Sequence, residues 1–374
     1  MIYLDNGATS FPKPQGVYEG VEKYLRYCGA SSGRSAHKRA TEAMEIATGA
    51  REMLANLFGI SDPEKIIFTK NATEGLNTII LGMVKEGDKA VVSHMEHNSV
   101  MRPLAHRKAN IEVLPVSEDG TTDMEALRKI GEGSSLVIIN HVSNVSGAVN
   151  DIEKAGEICK DLGVPLLIDV SQSAGHFNIN AEKIGASIAF PGHKGLLGPQ
   201  GTGGMYLHNI NPPPLTFGGT GSDSESIIQP ISLPNYYESG TLNMAGIWGL
   251  YEGLKYIFSV GIDKIAQKEA LVTEKLKGGL KNIKGAKVIG ENLKKCGAVV
   301  SFTLQGKDPS EISFLLDEKY DIASRSGLHC APLAHRLYGT EKGGTVRLSP
   351  GFFTTEREID IALEAIESIV KNEI

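Results

Sequence analysis

Nowhere in the 374 residues do about 18 apolar residues run together, so the sequence predicts no membrane-spanning helix. The opening MIYLDNGATS has neither a basic n-region nor an apolar h-region, which argues against a signal peptide and for a cytoplasmic protein. Cysteine is scarce: Cys28, Cys159, Cys296 and Cys330 lie far apart and form no CxxC pair. That spacing speaks against a zinc site or a disulfide framework, so no metal is expected. There is no excess of positive charge either. Lys and Arg number 38 against 44 Asp and Glu, a net charge of −6, which gives no reason to expect nucleic acid as the main ligand. The one tryptophan, Trp248, sits in an apolar stretch suited to core or dimer packing. Internal repeats and low-complexity tracts are also missing.

What the chain does have is size, glycine and periodicity. Its length exceeds what one core usually serves, so two domains are expected. The 43 glycines imply tight turns and close backbone approaches. Between residues 65 and 208, apolar runs alternate with amphipathic segments. KIIFT, KAVVSH, IEVLPV, SLVIINHV, PLLIDV, ASIAF and TGGMYLH read as seven strands, and the segments between most of them as helices. Near-continuous apolar strands separated by helices predict an α/β fold with a mainly parallel sheet covered on both faces. After residue 261 the texture changes to a Lys/Glu-rich helix, two short strands and two more helices, a smaller α+β domain. The first fifteen residues, with Pro12 and Pro14, read as an extended arm. The expected division is a large domain over 16–257 and a small one over 1–15 and 258–374.

Ligands of such sheets bind beyond the carboxyl ends of the strands, which directs attention to the residues there. Asn71, Ala72, Thr73 and Glu74 follow the first strand and open a helix in a capping-box pattern, so that helix amides and the Thr73 hydroxyl form a phosphate cradle. His97 follows the second strand and Asn144 the fourth, while Asp169 ends the fifth with Gln172 just beyond. The series closes on Lys194, behind His193 and among glycines in PGHKGLLGPQGTG. Taken singly, each has an ordinary reading as a helix cap, a loop histidine, a turn asparagine or a buried carboxylate. Taken in order they fit pyridoxal 5′-phosphate. Lys194 would form the Schiff base and Asp169 would keep the ring nitrogen protonated. Gln172 would bond the phenolic oxygen, His97 would stack on the ring, and Ala72, Thr73 and His193 would hold the phosphate.

With these residues in view, the sequence resembles the fold-type I, class-V aminotransferase-like enzymes over nearly its whole length. YLDNGATS, TKNATEGLN, MEHNS, LIDVSQSAGH and PGHKGLLGPQGTG carry the resemblance. SRSGLHCAPLAHRLYG (324–339) and GTVRLSPGFFTTEREID (344–360) place it nearest the cysteine desulfurases and selenocysteine lyases of the SufS type. That resemblance implies Cys330 as the sulfur-accepting nucleophile, Arg347 as the clamp on the substrate carboxylate, and Arg325 in the same loop as Cys330. It also implies substrate-side roles for Asn144 and for His37 of GRSAHKRA, and a Thr241 that reaches a partner's cofactor phosphate across a homodimer interface. One departure stands out: Pro191, two residues before His193, offers neither hydroxyl nor amide where the family often has serine.

The implied reaction converts L-cysteine to L-alanine and leaves a persulfide on Cys330 for a sulfur-acceptor protein. It needs a base at Lys194 and a thiolate nucleophile. Selenocysteine lyase is the nearest alternative, because the same residues serve L-selenocysteine. An isomerase or aminotransferase would have no use for Cys330, and a non-catalytic scaffold would have no use for the set. Cys159 reads as a core residue on a helix, and Cys28 as a loop thiol that could border the substrate path.

Overall fold

The structure, a computed structural model, describes residues 1–33, 37–221 and 225–371. Thirteen strands are described: β1 (Ile2–Tyr3), β2 (Ile66–Thr69), β3 (Lys89–Val92), β4 (Asn110–Val113), β5 (Leu136–Asn140), β6 (Leu166–Asp169), β7 (Ala186–Pro191), β8 (Gly203–Tyr206), β9 (Ala286–Val288), β10 (Val300–Leu304), β11 (Ile322–Ala323), β12 (Arg325–Gly327) and β13 (Thr345–Leu348). Seven of them form the large sheet in the order β2-β8-β7-β6-β5-β3-β4. All its pairings are parallel except the two made by β8. The expected seven-stranded, mainly parallel sheet is therefore present, with β8 running against the rest. Every residue of β5, β6 and β7 is buried, as apolar strands covered on both faces must be.

The first five α-helices among the described residues are α1 (Gln15–Lys23), α2 (Lys38–Leu57), α3 (Ala72–Met83), α4 (Asn98–His106) and α5 (Met124–Ile130). They are followed by α6 (Ile152–Leu162), α7 (Ala181–Ile184) and α8 (Met244–Val260). One face of the sheet packs with α2, α6 and α8 in a core that includes Leu54, Ile139, Ile158, Phe190 and Leu250. The other face packs with α3 and α4 around Ile79, Ile80, Val92 and Leu104. Trp248 is buried in α8, beside Tyr24 and under the Lys23 ammonium.

The smaller domain holds α9 (Ile262–Asn282), α10 (Pro309–Tyr320), α11 (Pro332–Tyr338), α12 (Glu356–Lys371) and the antiparallel sheet β12-β13-β10-β9. The expected boundary at 257/258 falls in the last turn of α8, and that at 15/16 at the first turn of α1. The start of the N-terminal arm packs on the small-domain core. β1 pairs in parallel with β11, and Leu4 is fully buried in the small-domain core, a burial that stabilises by about 2 kcal/mol. From there the arm crosses to the large domain, where Ser10 Nα donates to the His193 carbonyl at 3.0 Å.

Candidate active site

The carboxyl ends of β2, β3, β5, β6 and β7 open into one cavity. Ala72, Thr73, His97, Asn144, Asp169, Gln172, His193 and Lys194 all line it, with Asn71, Ser99, Ser171 and Pro191. Eight of the nine positions singled out for cofactor binding thus meet in one place.

Each is held by local chemistry. Asn71 caps α3: its side chain accepts from Glu74 N at 3.0 Å, while Glu74 Oε2 accepts from Lys70 N at 2.6 Å. Ala72 and Thr73 line the cavity at this helix end, where the first amides have no partner within the helix. Thr73 Oγ1 lies 2.8 Å from Ser99 Oγ. His97 is the N-cap of α4, and its Nδ1 accepts from Ser99 N at 3.0 Å. An accepting Nδ1 puts the proton of a neutral ring on Nε2. Burial lowers the His97 pKa, and the charges of Lys194, Arg102 and Arg347 add to it against the pull of Asp169. Asp169 is 2 % exposed at the end of β6, with Oδ1 accepting from Ser171 N at 2.9 Å. Gln172 Nε2 donates to Gly7 O at 2.9 Å.

Lys194 begins a tight turn in which Leu197 N donates to Lys194 O at 2.9 Å. Desolvation, helped by the Arg347 guanidinium, pushes its amine down to about 8, so that the neutral form is accessible near physiological pH. A side chain on the residue after it would force a shift. A Cβ on Gly195 would lie inside 3.0 Å of both His176 Nε2 and the Ala174 carbonyl. His176 is itself fixed, with Nδ1 at 2.7 Å from Glu269 of α9. Burial opposes protonation of this histidine, but the Glu269 charge and hydrogen bond outweigh it and raise the pKa.

The small domain brings Arg347, Arg325 and Cys330. Arg347, on β13, is 2 % exposed and faces Arg325 of β12 in register. Its Nη2 donates to Asp5 Oδ1 at 3.0 Å and its Nη1 to Asn144 O at 3.2 Å, while Nε is buried without a hydrogen-bond partner among the described residues. Arg325 approaches the other Asp5 oxygen at 3.9 Å. Cys330 follows in a loop anchored to the large domain. Asn98 N donates to Cys330 O at 2.7 Å, and Asn144 Nδ2 to His329 O at 2.6 Å. His329 and Cys330 take left-handed φ of 47° and 57°, a conformation that costs a non-glycine residue roughly 1–2 kcal/mol. The anchors hold it, and the thiol is exposed. Burial lowers the Arg347 pKa, and the charge and hydrogen bond of Asp5 pull against it.

Two of the expected site residues stand apart. Thr241 lines a separate cavity of about 370 Å³, bounded by Thr69, Phe217 and Gly218. His37 is exposed and caps α2, its Nδ1 accepting from Ala40 N at 3.2 Å; Arg34–Ala36 of its segment lie outside the described residues. Cys159 is buried, its thiol pushed up to about 12. Cys28 is buried too, with Sγ 3.2 Å from the Arg39 carbonyl. Several residues escaped the sequence reading: Ser99 and Ser171, which line the cavity, and Asp5, His176 and Glu269, which support it. Ser99 and Ser171 fall inside quoted motifs, so a residue-by-residue reading of MEHNS and DVSQS would have found them.

The chain matches the class-V aminotransferase family over residues 2–362. A relative from Methanothermobacter thermautotrophicus named "probable cysteine desulfurase" is 35 % identical over 380 residues, covering 98 % of this chain and 94 % of the relative. A protein of the same name from Pyrococcus abyssi is 35 % identical over 387 residues, covering 100 % of this chain and 95 % of its own length. Among solved structures, the apo cysteine desulfurase of Thermococcus onnurineus superposes with a TM-score of 0.92 at 33 % identity, covering 99 % of this chain and 94 % of that one. The fold, the cavity at the strand ends and these similarities lead to one statement: the chain belongs to the class-V aminotransferase family, with the fold-type I architecture.

Proposed function

We propose that this protein is a pyridoxal-phosphate-dependent cysteine desulfurase that takes sulfur from L-cysteine onto Cys330 and releases L-alanine. The observation that carries the reading is the Cys330 loop: an exposed thiol on a strained turn, tied by Asn98 N to Cys330 O and, through His329 O, to Asn144, which lines the cavity with Lys194 and Asp169.

The residues fit the cofactor. Asp169 offers a buried carboxylate, Lys194 an amine, and α3 its free amides and the Thr73 hydroxyl. His193 Nδ1 and Asn144 Oδ1 are buried without hydrogen-bond partners among the described residues, as groups awaiting a ligand would be. Pro191 gives the phosphate no donor, but His193 lies beside it in the cavity wall. When bound, the cofactor supplies an electron sink for the substrate Cα.

Asp169 would keep the ring nitrogen of that cofactor protonated, and neutral His97 would lie against its ring. Arg347, preorganised by Asp5 and the Asn144 carbonyl, receives the substrate carboxylate on its unpartnered Nε edge. Lys194, with its depressed pKa, takes the proton from Cα. The Cys330 thiolate then attacks the substrate sulfur. The new S–S bond forms as the Cβ–S bond breaks, its electron pair stays with carbon, and protonation completes alanine. Exposure of Cys330 lets an acceptor protein collect the persulfide.

The reading includes a homodimer. Leu215, Phe217, Ile227, Ile228 and Ile231 are exposed on the segment leading to Thr241, an apolar surface that calls for cover, and Thr241 would there serve the partner's cofactor phosphate. L-Selenocysteine fits the same groups, and selenium leaves carbon with less help from a nucleophile. The test is turnover of L-cysteine and of L-selenocysteine by the parent and by Lys194→Ala, with alanine, sulfide and selenide measured. The parent should form alanine from L-cysteine and Lys194→Ala none. An amino-group exchange product in place of alanine would reject the desulfurase reading.

A further inference from the structure

The carbonyl oxygens on either side of Lys194 are held by the N-terminal arm. His193 O accepts from Ser10 N at 3.0 Å, from Thr9 Oγ1 at 3.1 Å and from Lys13 Nζ at 2.9 Å. Lys194 O accepts from Leu197 N at 2.9 Å and from Ser10 Oγ at 2.8 Å. Ser10 Oγ in turn accepts from Lys13 Nζ at 2.7 Å. One ammonium therefore acts on both peptide units that flank Lys194, directly on the first and through a buried hydroxyl on the second.

Lys13 is costly where it stands. It is partly buried, it forms no ion pair among the described residues, and desolvation pushes its amine down to about 8. An anchor for the arm alone would not need a charge, because Leu4 is fully buried, β1 pairs with β11 and Ser10 N already ties the arm to His193 O. What the charge adds is directional. Charge-assisted hydrogen bonds are about twice as strong as neutral ones, and here one of them falls directly on the carbonyl next to Lys194.

We propose that Lys13 is a positioning residue for Lys194: through His193 O and Ser10 Oγ it fixes the two peptide units from which the Lys194 side chain departs. The proposal rests on the reading of Lys194 as the amine that captures the cofactor. A displacement of a reacting group by 1 Å costs about 100-fold in rate, so a modest rotation of these peptides has a measurable effect.

The experiment is capture of pyridoxal 5′-phosphate by the cofactor-stripped full-length protein, followed by the absorbance of the lysine-bound cofactor, for the parent, Lys13→Met and Lys13→Arg. Lys13→Met should capture the cofactor about 10-fold or more slowly, and after loading should lower kcat by a similar factor with KM for L-cysteine little changed, since Arg347 is untouched. Lys13→Arg, which keeps charge and donors, should recover most of the loss. Capture by Lys13→Met at the parent rate overturns the proposal, as does equal slowing in Met and Arg variants, which would mark a packing role. If Lys13→Met fails to fold, Ser10→Ala is measured in the same way, and parent-rate capture by that variant also overturns it. A parent protein that captures no cofactor would instead reject the functional reading on which the proposal rests.

Discussion

Gly195→Ala tests how tightly the Lys194 turn is gripped. The added methyl would lie inside 3.0 Å of His176 Nε2, His176 Cδ2 and the Ala174 carbonyl. None of these can yield cheaply. Ala174 N is bonded to Val170 O at 2.9 Å within the turn that follows β6, and His176 Nδ1 is bonded to Glu269 at 2.7 Å across the domain boundary. Overpacking of this kind costs about 1–3 kcal/mol. At about 2–4 °C per kcal/mol, the melting temperature should fall by roughly 2–12 °C. The turn is the more yielding side, so Lys194 should move by part of an ångström, and kcat for alanine formation should drop by about 10- to 100-fold. Thermal melts and alanine assays on the loaded enzyme read both effects. A variant with parent melting temperature and parent kcat would show that the turn has slack, and the account of Gly195 and His176 would fail.

Arg347→Lys should raise KM for L-cysteine about 10-fold or more, because an ammonium cannot keep Asp5 and the Asn144 carbonyl while offering a second donor edge to a carboxylate. An unchanged KM would remove Arg347 from substrate binding. Cofactor capture by the stripped protein should follow the neutral amine of Lys194. Because its pKa is lowered from 10.5 to about 8, the rate should rise roughly tenfold per pH unit below pH 8 and level off above it. A rate still climbing toward pH 10, as for an ordinary lysine, would contradict the depressed value.

The sheet was legible because strands such as β5 and β6 are buried on both faces and so are apolar throughout. α1 and α2 were not. The stripe of α2 that faces the core is mostly alanine, Ala40, Ala43, Ala47 and Ala50, and small residues give little hydrophobic contrast. At the site, the strand-end rule brought out Asp169, Lys194 and their neighbours, since sequence order alone places strand ends side by side. Lys13, Asp5 and the His176–Glu269 pair were illegible for the opposite reason. Lys13 meets His193 at a sequence separation of 180, Asp5 meets Arg347 at one of 342, and Glu269 comes from the other domain. Their roles exist only once the arm and α9 come up against the large domain. Arg51 is a similar case. Stacked on Phe68, it pairs with buried Glu238 at 2.9 Å, and so ties the segment carrying Thr241 to the large domain.

Passage of sulfur from substrate to Cys330 is the step on which the proposed function stands or falls. The direct measurement is peptide mass spectrometry of the loaded protein after one turnover with L-cysteine, alongside Cys330→Ala. One extra sulfur atom is expected on the peptide containing Cys330, with about one alanine released per sulfur retained. Cys330→Ala should keep its cofactor but form almost no alanine from L-cysteine, because a thiol leaves poorly without a nucleophile to receive it. Extra sulfur on Cys28, Cys159 or Cys296, or alanine formation by Cys330→Ala at the parent rate, would contradict that step.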